Sequence, residues 1–569
     1  MDNQKNLLLA VVFSIAVLFG FDFFFGPNRE VPLEKINDSQ GAINSESPDI
    51  ITSTDSETPS IKSTPSLSEK QKSDYKEKRV SFKAKRIEGS INLYGATIDE
   101  VILSDYFETI KKEKKIRLLQ KENSKSPYFL RMGWASTDKK LSLPEKESLW
   151  NAKPKTNKND PQEIEWISDQ GLKINRKISF DENFMITIED IVSNQTGRTI
   201  QLTNYSYINR KNHRPENKFF ILHEGPLGVF DDTLNEFSYE DFEEKAIIKS
   251  SKNGWIGYTD HYWQVAIFPD TEEPFTAEIK NIRNSSNSIQ INFLNDNLKT
   301  VKSGETLSVK SYVFAGAKEV PLIDSYIKTL KVNKLDLSVD FGWFYFLTKP
   351  LFYALNFLSV LFSNFGVGII ILTIFIRILL FPLANKSFKS MNSMRILTPE
   401  IKKIRERYKD DRNRMNQEMF ALYKEKKINP AAGCLPILIQ IPIFFALYKV
   451  LFVSIEMRHA PFFGWIKDLS APDPTSIFNL FGLIPWDPPM FLNIGIWPLL
   501  MGLTMYLQQK INPPPPDPIQ AKVFMMLPFI FTFLLATFPS GMVVYWTINN
   551  ILSIGQQYIL LKKQKKNLT

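Results

Sequence analysis

The sequence predicts an α-helical multi-pass membrane protein carrying a large exported antiparallel β-sandwich. Three observations predict it. Apolar runs of membrane-crossing length lie at residues 7–25 and, repeatedly, between 365 and 560. Between these regions, residues 80–318 alternate apolar and polar positions in short runs broken by Asn, Gly and Asp, the period of strands with one buried face. The net charge of +9 is also concentrated: residues 385–431 hold thirteen Lys/Arg against six Asp/Glu, and the tail beyond Leu561 adds four lysines. A uniformly basic nucleic-acid binder is thereby excluded. The chain has 569 residues, too many for one core. Its 43 % apolar and 23 % charged content excludes collagen and wholesale disorder. A single cysteine, Cys434, forms no internal disulfide, and four histidines offer little for a metal site, so neither metal nor cofactor is expected.

The first run, Leu7–Phe25, is 19 residues long, enough to span a hydrocarbon core about 30 Å thick. It exceeds a signal-peptide core and no small-residue cleavage site follows, so residues 1–26 read as an uncleaved anchor. Residues 27–79, rich in Ser, Thr, Pro and Asp, read as a disordered tether. The sandwich is expected over 80–320, with strands at Lys173–Phe180, Phe184–Val192 and Ser288–Phe293, and with Gly254–Tyr258 beside His261–Phe268. His213, His223, Glu224, Asp260 and His261 lack metal-ligand spacing; a binding or spacing domain is expected there rather than an active site. Residues 321–364 read as a linker helix followed by an aromatic amphipathic stretch, with Trp343, Phe344, Tyr345 and Phe346, suited to a bilayer interface.

Five further runs follow: 365–383, 434–453, 491–507, 523–538 and 542–560. Six spans are therefore expected. The basic segment 384–432 and the tail 562–569 must share the cytoplasmic side, whereas residues 454–490 hold only Arg458 and Lys467. Both termini are then cytoplasmic and the large domain is exported.

Arg377 falls only about 4–5 Å from the middle of the second span, where an arginine costs about 2.5–3.5 kcal/mol. It could snorkel to the cytoplasmic interface. Alternatively it faces a wet cavity, with Thr373 one turn away on the same face. Other spans carry Gln440, Thr504, Gln508, Thr532, Thr547, Asn549, Asn550, Ser553, Gln556 and Gln557, yet no acidic residue lies within spans two to six. That pattern suits water and a passing polar ligand better than a proton relay.

In the cytoplasmic segment, Thr398-Pro399-Glu400 has the residues of a helix start. Ile401, Ile404 and Tyr408 then face Met415, Met419 and Leu422 across a turn at Asp410–Asn413, giving a helical hairpin. Its basic face, including Lys402, Lys403, Arg405 and Arg407, suits anionic lipid or, equally, ribosomal RNA and an acidic targeting factor.

Specific stretches resemble the YidC/Oxa/Alb family of membrane-protein insertases, in its long Gram-negative form. They are Arg377-Ile-Leu-Leu-Phe-Pro-Leu, Met394-Arg-Ile-Leu-Thr-Pro-Glu-Ile, Asn429-Pro-Ala-Ala-Gly-Cys-Leu-Pro-Ile-Leu-Ile-Gln-Ile-Pro-Ile-Phe, Trp465-Ile-Lys-Asp-Leu-Ser-Ala-Pro-Asp-Pro and Phe538-Pro-Ser-Gly-Met-Val-Val-Tyr-Trp. The resemblance implies a bacterial inner-membrane protein with a supersandwich domain similar in fold to sugar mutarotases. It implies a hydrophilic groove centred on Arg377 with Thr373, Gln440 and Tyr545, and a hydrophobic slide with Ile441, Pro442, Phe529 and Phe533. Nascent membrane proteins would be the substrates. The Sec translocon, the ribosome and signal recognition particle pathway, and anionic lipids would be partners, with no small-molecule substrate. Trp546 departs from the family pattern, where a second tyrosine usually follows Tyr545. Residues 476–493 look like extra length in an outer loop.

Two other classes compete. A transporter would carry internal repeats and Gly-broken midplane helices, and no repeat is found. A membrane enzyme would carry a nucleophile elbow, a zinc helix or a phosphate loop, and none is present in the sequence.

Overall fold

The computed structural model describes residues 78–566 except 156, 158–159, 212–221, 270–272, 283–287, 343, 410, 427–434, 487, 490–491 and 512–517. The expected anchor 1–26 and almost all of the tether 27–79 lie outside the described residues, as do His213, Trp343 and Cys434. The chain divides into two units, 1–343 and 344–569.

The first unit holds two antiparallel sheets. The ten-stranded sheet runs in the order Arg79–Lys83, Ile87–Asn92, Thr97–Phe107, Tyr128–Ser136, Ile200–Lys211, Ser288–Asn295, Phe275–Ile282 and Ile247–Ser251, with two short strands beside this path. The nine-stranded sheet runs Thr233–Glu236, Gly225–Phe230, Gly254–Thr259, Trp263–Pro269, Thr306–Ala317, Met185–Asn194, Leu172–Phe180, Gln162–Ile167 and Asn151–Ala152. Alternation places Leu172, Ile174 and Ile178 inward with Ile186, Ile188 and Val192 of the neighbouring strand. The sheets meet through aromatic pairs such as Phe82–Phe180, whose ring centroids are 4.1 Å apart, and Tyr128–Tyr258 at 6.0 Å. As expected, the strands beginning at Gly254 and Trp263 are neighbours, with Ile256 opposite Ile267.

One inward position breaks the apolar pattern. Arg176 is buried, directly opposite Asp190 in the register, and its Nε and one terminal nitrogen each reach that carboxylate at 2.7 Å. Its other terminal nitrogen donates to Met132 O across the sheets at 3.1 Å, and Trp134 Nε1 donates to Asp190 at 2.8 Å. The pair is fully partnered, which is what a buried ion pair needs to be tolerated. Helix α1 (Val320–Leu330), expected as a linker, packs on this sandwich: Ile323 and Tyr326 are buried, and the Tyr326 hydroxyl accepts from Phe184 N at 3.2 Å. The first unit accordingly continues past residue 320.

The second unit comprises α2 (Tyr345–Leu361), α3 (Phe365–Arg407), α4 (Arg412–Glu425), α5 (Leu435–Val453), α6 (Ile496–Ile511), α7 (Pro518–Leu535) and α8 (Ser540–Lys566). Among the described residues one helical segment, Phe365–Ser390, is long and apolar enough to cross a membrane; Ile439–Val453 and Ala521–Leu535 are shorter apolar segments. The expected count of six spans is not reached on this criterion.

Helix α3 corrects the boundary expected at Thr398. It runs without a break through Pro382 and Pro399. The Thr398 hydroxyl bonds back to Met394 O at 3.3 Å instead of capping a new helix. The start is capped by Asn364, which accepts from Val367 N at 3.1 Å. Leu397, Ile401 and Leu422 form the buried seam between α3 and α4, with Ile404, Met419 and Tyr423 against it. Burying that seam requires helix across 398–400, so packing overrides the local start signal.

Helix α8 packs against α6 and α3, and α6 against α7. Gly502 makes the last contact possible: a Cβ there would sit 2.0 Å from Thr532 Oγ1. Outward faces are apolar, with Phe375, Ile378 and Leu379 exposed on α3, Leu503 on α6, and Met525, Phe529 and Phe533 on α7. Exposed apolar area of this extent marks a surface made for lipid or partner contact.

Candidate functional site

The site is built where α3 faces α8. Arg377 is half-buried, and both hydrogen-bond partners it has among the described residues are atoms of Asn549: Nε donates to the side-chain oxygen at 2.8 Å and a terminal nitrogen to the backbone carbonyl at 3.4 Å. That carbonyl also accepts from Ser553 Oγ at 2.7 Å. Tyr545, one turn earlier on α8, is buried within electrostatic range of Arg377 and shares a hydrogen bond with Gln440 of α5. Arg377, Gln440 and Tyr545 are therefore brought together by three helices distant in sequence.

Thr373 sits one turn before Arg377 but is buried, and its hydroxyl donates to Ile369 O at 2.6 Å. Its proton is spent on its own helix, leaving lone pairs as its polar contribution. Farther along α8, Asn550 donates to Thr504 Oγ1 at 3.3 Å, and Gln556 Nε2 is buried without a partner among the described residues. A buried amide donor with no protein acceptor calls for water.

Ile441 is exposed and Pro442 half-buried on α5, whereas Phe529 and Phe533 are exposed on α7. Phe529 meets Tyr506 of α6 at 6.3 Å. The link between α5 and α7 is Trp546, whose ring lies 4.6 Å from Phe444 and 6.4 Å from Phe531. The residue that departs from the family pattern thus fills an apolar joint. Lys402, Lys403 and Arg407 are exposed on α3 and Arg405 is half-buried; Lys402 stands 3.9 Å from Glu406.

Asn549 was not singled out by sequence reasoning from the other polar residues of the last span. Its signal was its type: an amide can receive a guanidinium without cancelling its charge. In the first unit, His223 Nε2 lies 2.8 Å from Pro226 O, Asp260 accepts from Arg210 at 2.7 Å, and the His261 ring stacks on Tyr262 at 3.9 Å. No cluster able to hold a metal ion occurs among the described residues.

Residues 79–354 match the family described as YidC periplasmic domain, and residues 357–567 match the 60Kd inner membrane protein family. Membrane protein insertase YidC of Rickettsia massiliae is 41 % identical over 566 residues, covering 99 % of each chain. The protein of the same name from Pelagibacter ubique shows the same identity and coverage. An active YidC insertase crystal structure with its first transmembrane domain resolved overlaps with a TM-score of 0.36 at 18 % identity, covering 84 % of this chain and 92 % of that one. On sequence identity over its full length, this chain belongs to the YidC family of membrane protein insertases, inner-membrane proteins with a periplasmic domain and not enzymes.

Proposed function

We propose that this insertase lowers the barrier for moving polar segments of nascent membrane proteins by offering them a hydrated groove around Arg377. Taking a segment's charged groups out of water is the dominant cost of crossing hydrocarbon. A groove that keeps water and a positive centre beside the path reduces that cost most for acidic segments. The observation that carries this reading is the partner of Arg377: a neutral amide orients the guanidinium and leaves its charge uncompensated. Gln440, Tyr545 and Thr373 line the polar side. Ile441, Pro442, Phe529 and Phe533 give the apolar side along which a segment slides into lipid.

In the same reading the chain crosses the membrane six times with both termini cytoplasmic. The basic α3–α4 hairpin, through Lys402, Lys403, Arg405 and Arg407, receives the ribosome, the signal recognition particle pathway or anionic lipid, and some substrates arrive with the Sec translocon. The domain of the first unit is a supersandwich that spaces or binds on the periplasmic side. Reconstitution into liposomes tests the core of this proposal. A small single-span substrate should insert without any nucleotide, and an acidic translocated tail should depend on Arg377 more than a neutral one. Insertion that needs ATP would overturn it.

A further inference from the structure

The outer loop between α5 and α6 carries a surface that the groove does not use. Over residues 478–486 it exposes Phe478, Leu480, Phe481, Leu483, Ile484 and Trp486, and Leu483 is 83 % exposed. These side chains point outward from a loop that is built, not slack. Its amides are largely satisfied from within. Leu480 N donates to Ile477 O at 3.1 Å, Phe481 N to Ser476 O at 2.8 Å, Leu483 N to Leu480 O at 3.3 Å, Ile484 N to Asn479 O at 3.0 Å and Trp486 N to Ile484 O at 2.8 Å. Phe478 N is taken by Ser476 Oγ at 3.3 Å, and Pro485 has no amide hydrogen to satisfy. Leu480 and Phe481 both hold positive φ, 48° and 58°, a conformation unfavourable for bulky side chains, and both are about half exposed. An ordinary water-facing loop gives its amides to solvent and its apolar residues to the core; this one does neither.

The base of the loop is tied to the start of α6. Asp473 is buried; its carboxylate accepts from Trp497 N at 2.9 Å and Trp465 Nε1 at 3.1 Å, while Thr475 Oγ1 accepts from Ile496 N at 3.0 Å. Gly495 lets that carboxylate approach, since a Cβ there would stand 2.4 Å from Asp473 Cγ. The apolar residues are thus fixed immediately above a helix of 16 residues. Such a helix is about 24 Å long, shorter than a hydrocarbon core of about 30 Å. A span that short must thin the bilayer or be extended at one end.

We propose that residues 476–486 form a cap that inserts these six side chains into the periplasmic leaflet of the phospholipid bilayer and extends the apolar length of α6. The lipid interface is the occupant that fits. The surface carries no charge over 474–486, its backbone needs little water, and its base is bonded to the start of a helix that enters the membrane in the six-span reading proposed above. Trp486 is the residue type that settles at headgroup level. The periplasmic side follows from the orientation proposed above; burial in lipid does not.

The test uses the full chain with Cys434→Ser and Leu483→Cys, labelled with an environment-sensitive fluorophore and reconstituted into phosphatidylethanolamine and phosphatidylglycerol vesicles. Blue-shifted emission, quenched more by lipids brominated high on the acyl chain than by deep ones and little by aqueous iodide, is expected. Water-like emission quenched by iodide overturns the proposal. Blue-shifted emission indifferent to brominated lipid also overturns it, since protein rather than lipid would then cover the loop. A second chain with Cys434→Ser and Asn413→Cys, probed in spheroplasts with a membrane-impermeant maleimide, reports orientation separately. Labelling there from outside would sink the orientation and leave the lipid result standing as a cap on the other leaflet.

Discussion

Arg377 is held by an amide rather than an acid, and this decides what its substitution should do. Arg377→Ala removes an insertion cost of about 2.5–3.5 kcal/mol and leaves the Asn549 amide without a donor, which costs roughly 1–3 kcal/mol. These nearly offset. Folded protein should persist at near wild-type levels while insertion of substrates with acidic translocated tails falls. Equal insertion of acidic and neutral tails by this variant would contradict the groove reading, and protein level measured in the same strain separates loss of function from loss of fold. Arg377→Lys keeps the charge but not the fork that engages Asn549 twice, so it should retain much of the activity. In the first unit, Lys318 is 3 % exposed and donates to Thr259 Oγ1 at 3.0 Å. Burial pushes its ammonium from the ordinary 10.5 down to about 8, against the pull of Asp260, Asp340 and Glu224. The native state therefore releases this proton first. Between about pH 8 and 10.5 the unfolded chain binds more protons, so stability rises with pH across that window. Below it the cost of the buried charge, roughly 3 kcal/mol, is fully present. Comparing thermal unfolding of detergent-solubilised wild type with Lys318→Met should show the wild type gaining on the variant from pH 8 to 10; a pH-independent gap would refute the assignment.

At the scale of elements, α3 is one rod of 43 residues that joins membrane and cytoplasm in the proposed orientation. Its basic cytoplasmic end is where delivery is expected to act. Reversing Lys402, Lys403, Arg405 and Arg407 to Glu should weaken ribosome association strongly at low salt and less at high salt, because screening over about 10 Å at 0.1 M already removes much of a surface charge effect. A loss independent of salt would point to the seam of Leu397, Ile401 and Leu422 instead. The α6–α7 joint makes a different prediction. Gly502→Ala forces a methyl against Thr532, and overpacking of this kind costs about 1–3 kcal/mol; Gly502→Ala with Thr532→Ala should recover much of the loss in a thermal melt in detergent. A single variant as stable as wild type would show that the helices can part without penalty, and a double variant that fails to recover would show that the loss does not come from Thr532.

At the scale of the whole molecule, the residues of the proposed groove and slide and the α3–α4 hairpin all lie in the second unit, so the first should be dispensable for insertion itself. Its boundary matters to the experiment. The strand Thr306–Ala317 pairs with Met185–Asn194, and α1 is buried on the same sandwich. Deleting 80–300 would leave an unpaired strand edge, a known route to aggregation. Removing 79–340 as one piece should leave insertion of simple substrates largely intact in a depletion strain. A stable deletion protein that no longer inserts them would make the exported domain a working part.

The sequence by itself determined what depends on neighbours along the chain. Alternation marks the strands, apolar length marks the runs, uneven Lys/Arg marks the basic hairpin, and motifs around Arg377 and Asn429–Phe444 mark the family. Each is a local pattern, or one that a relative shares residue by residue. Only the tertiary structure decided the pairings across long separations. Arg377 and Asn549 are 172 residues apart, and nothing local distinguishes Asn549 from Asn550, which turns instead to Thr504. Arg176 shares the inward parity of Ile174 and Ile178, and what receives its charge there stays hidden until the register with Asp190 is known. Thr398-Pro399-Glu400 reads as a helix start until the seam beneath it is seen. Helix rotation and strand register settle such questions, and both are set by the packing of the whole fold around them.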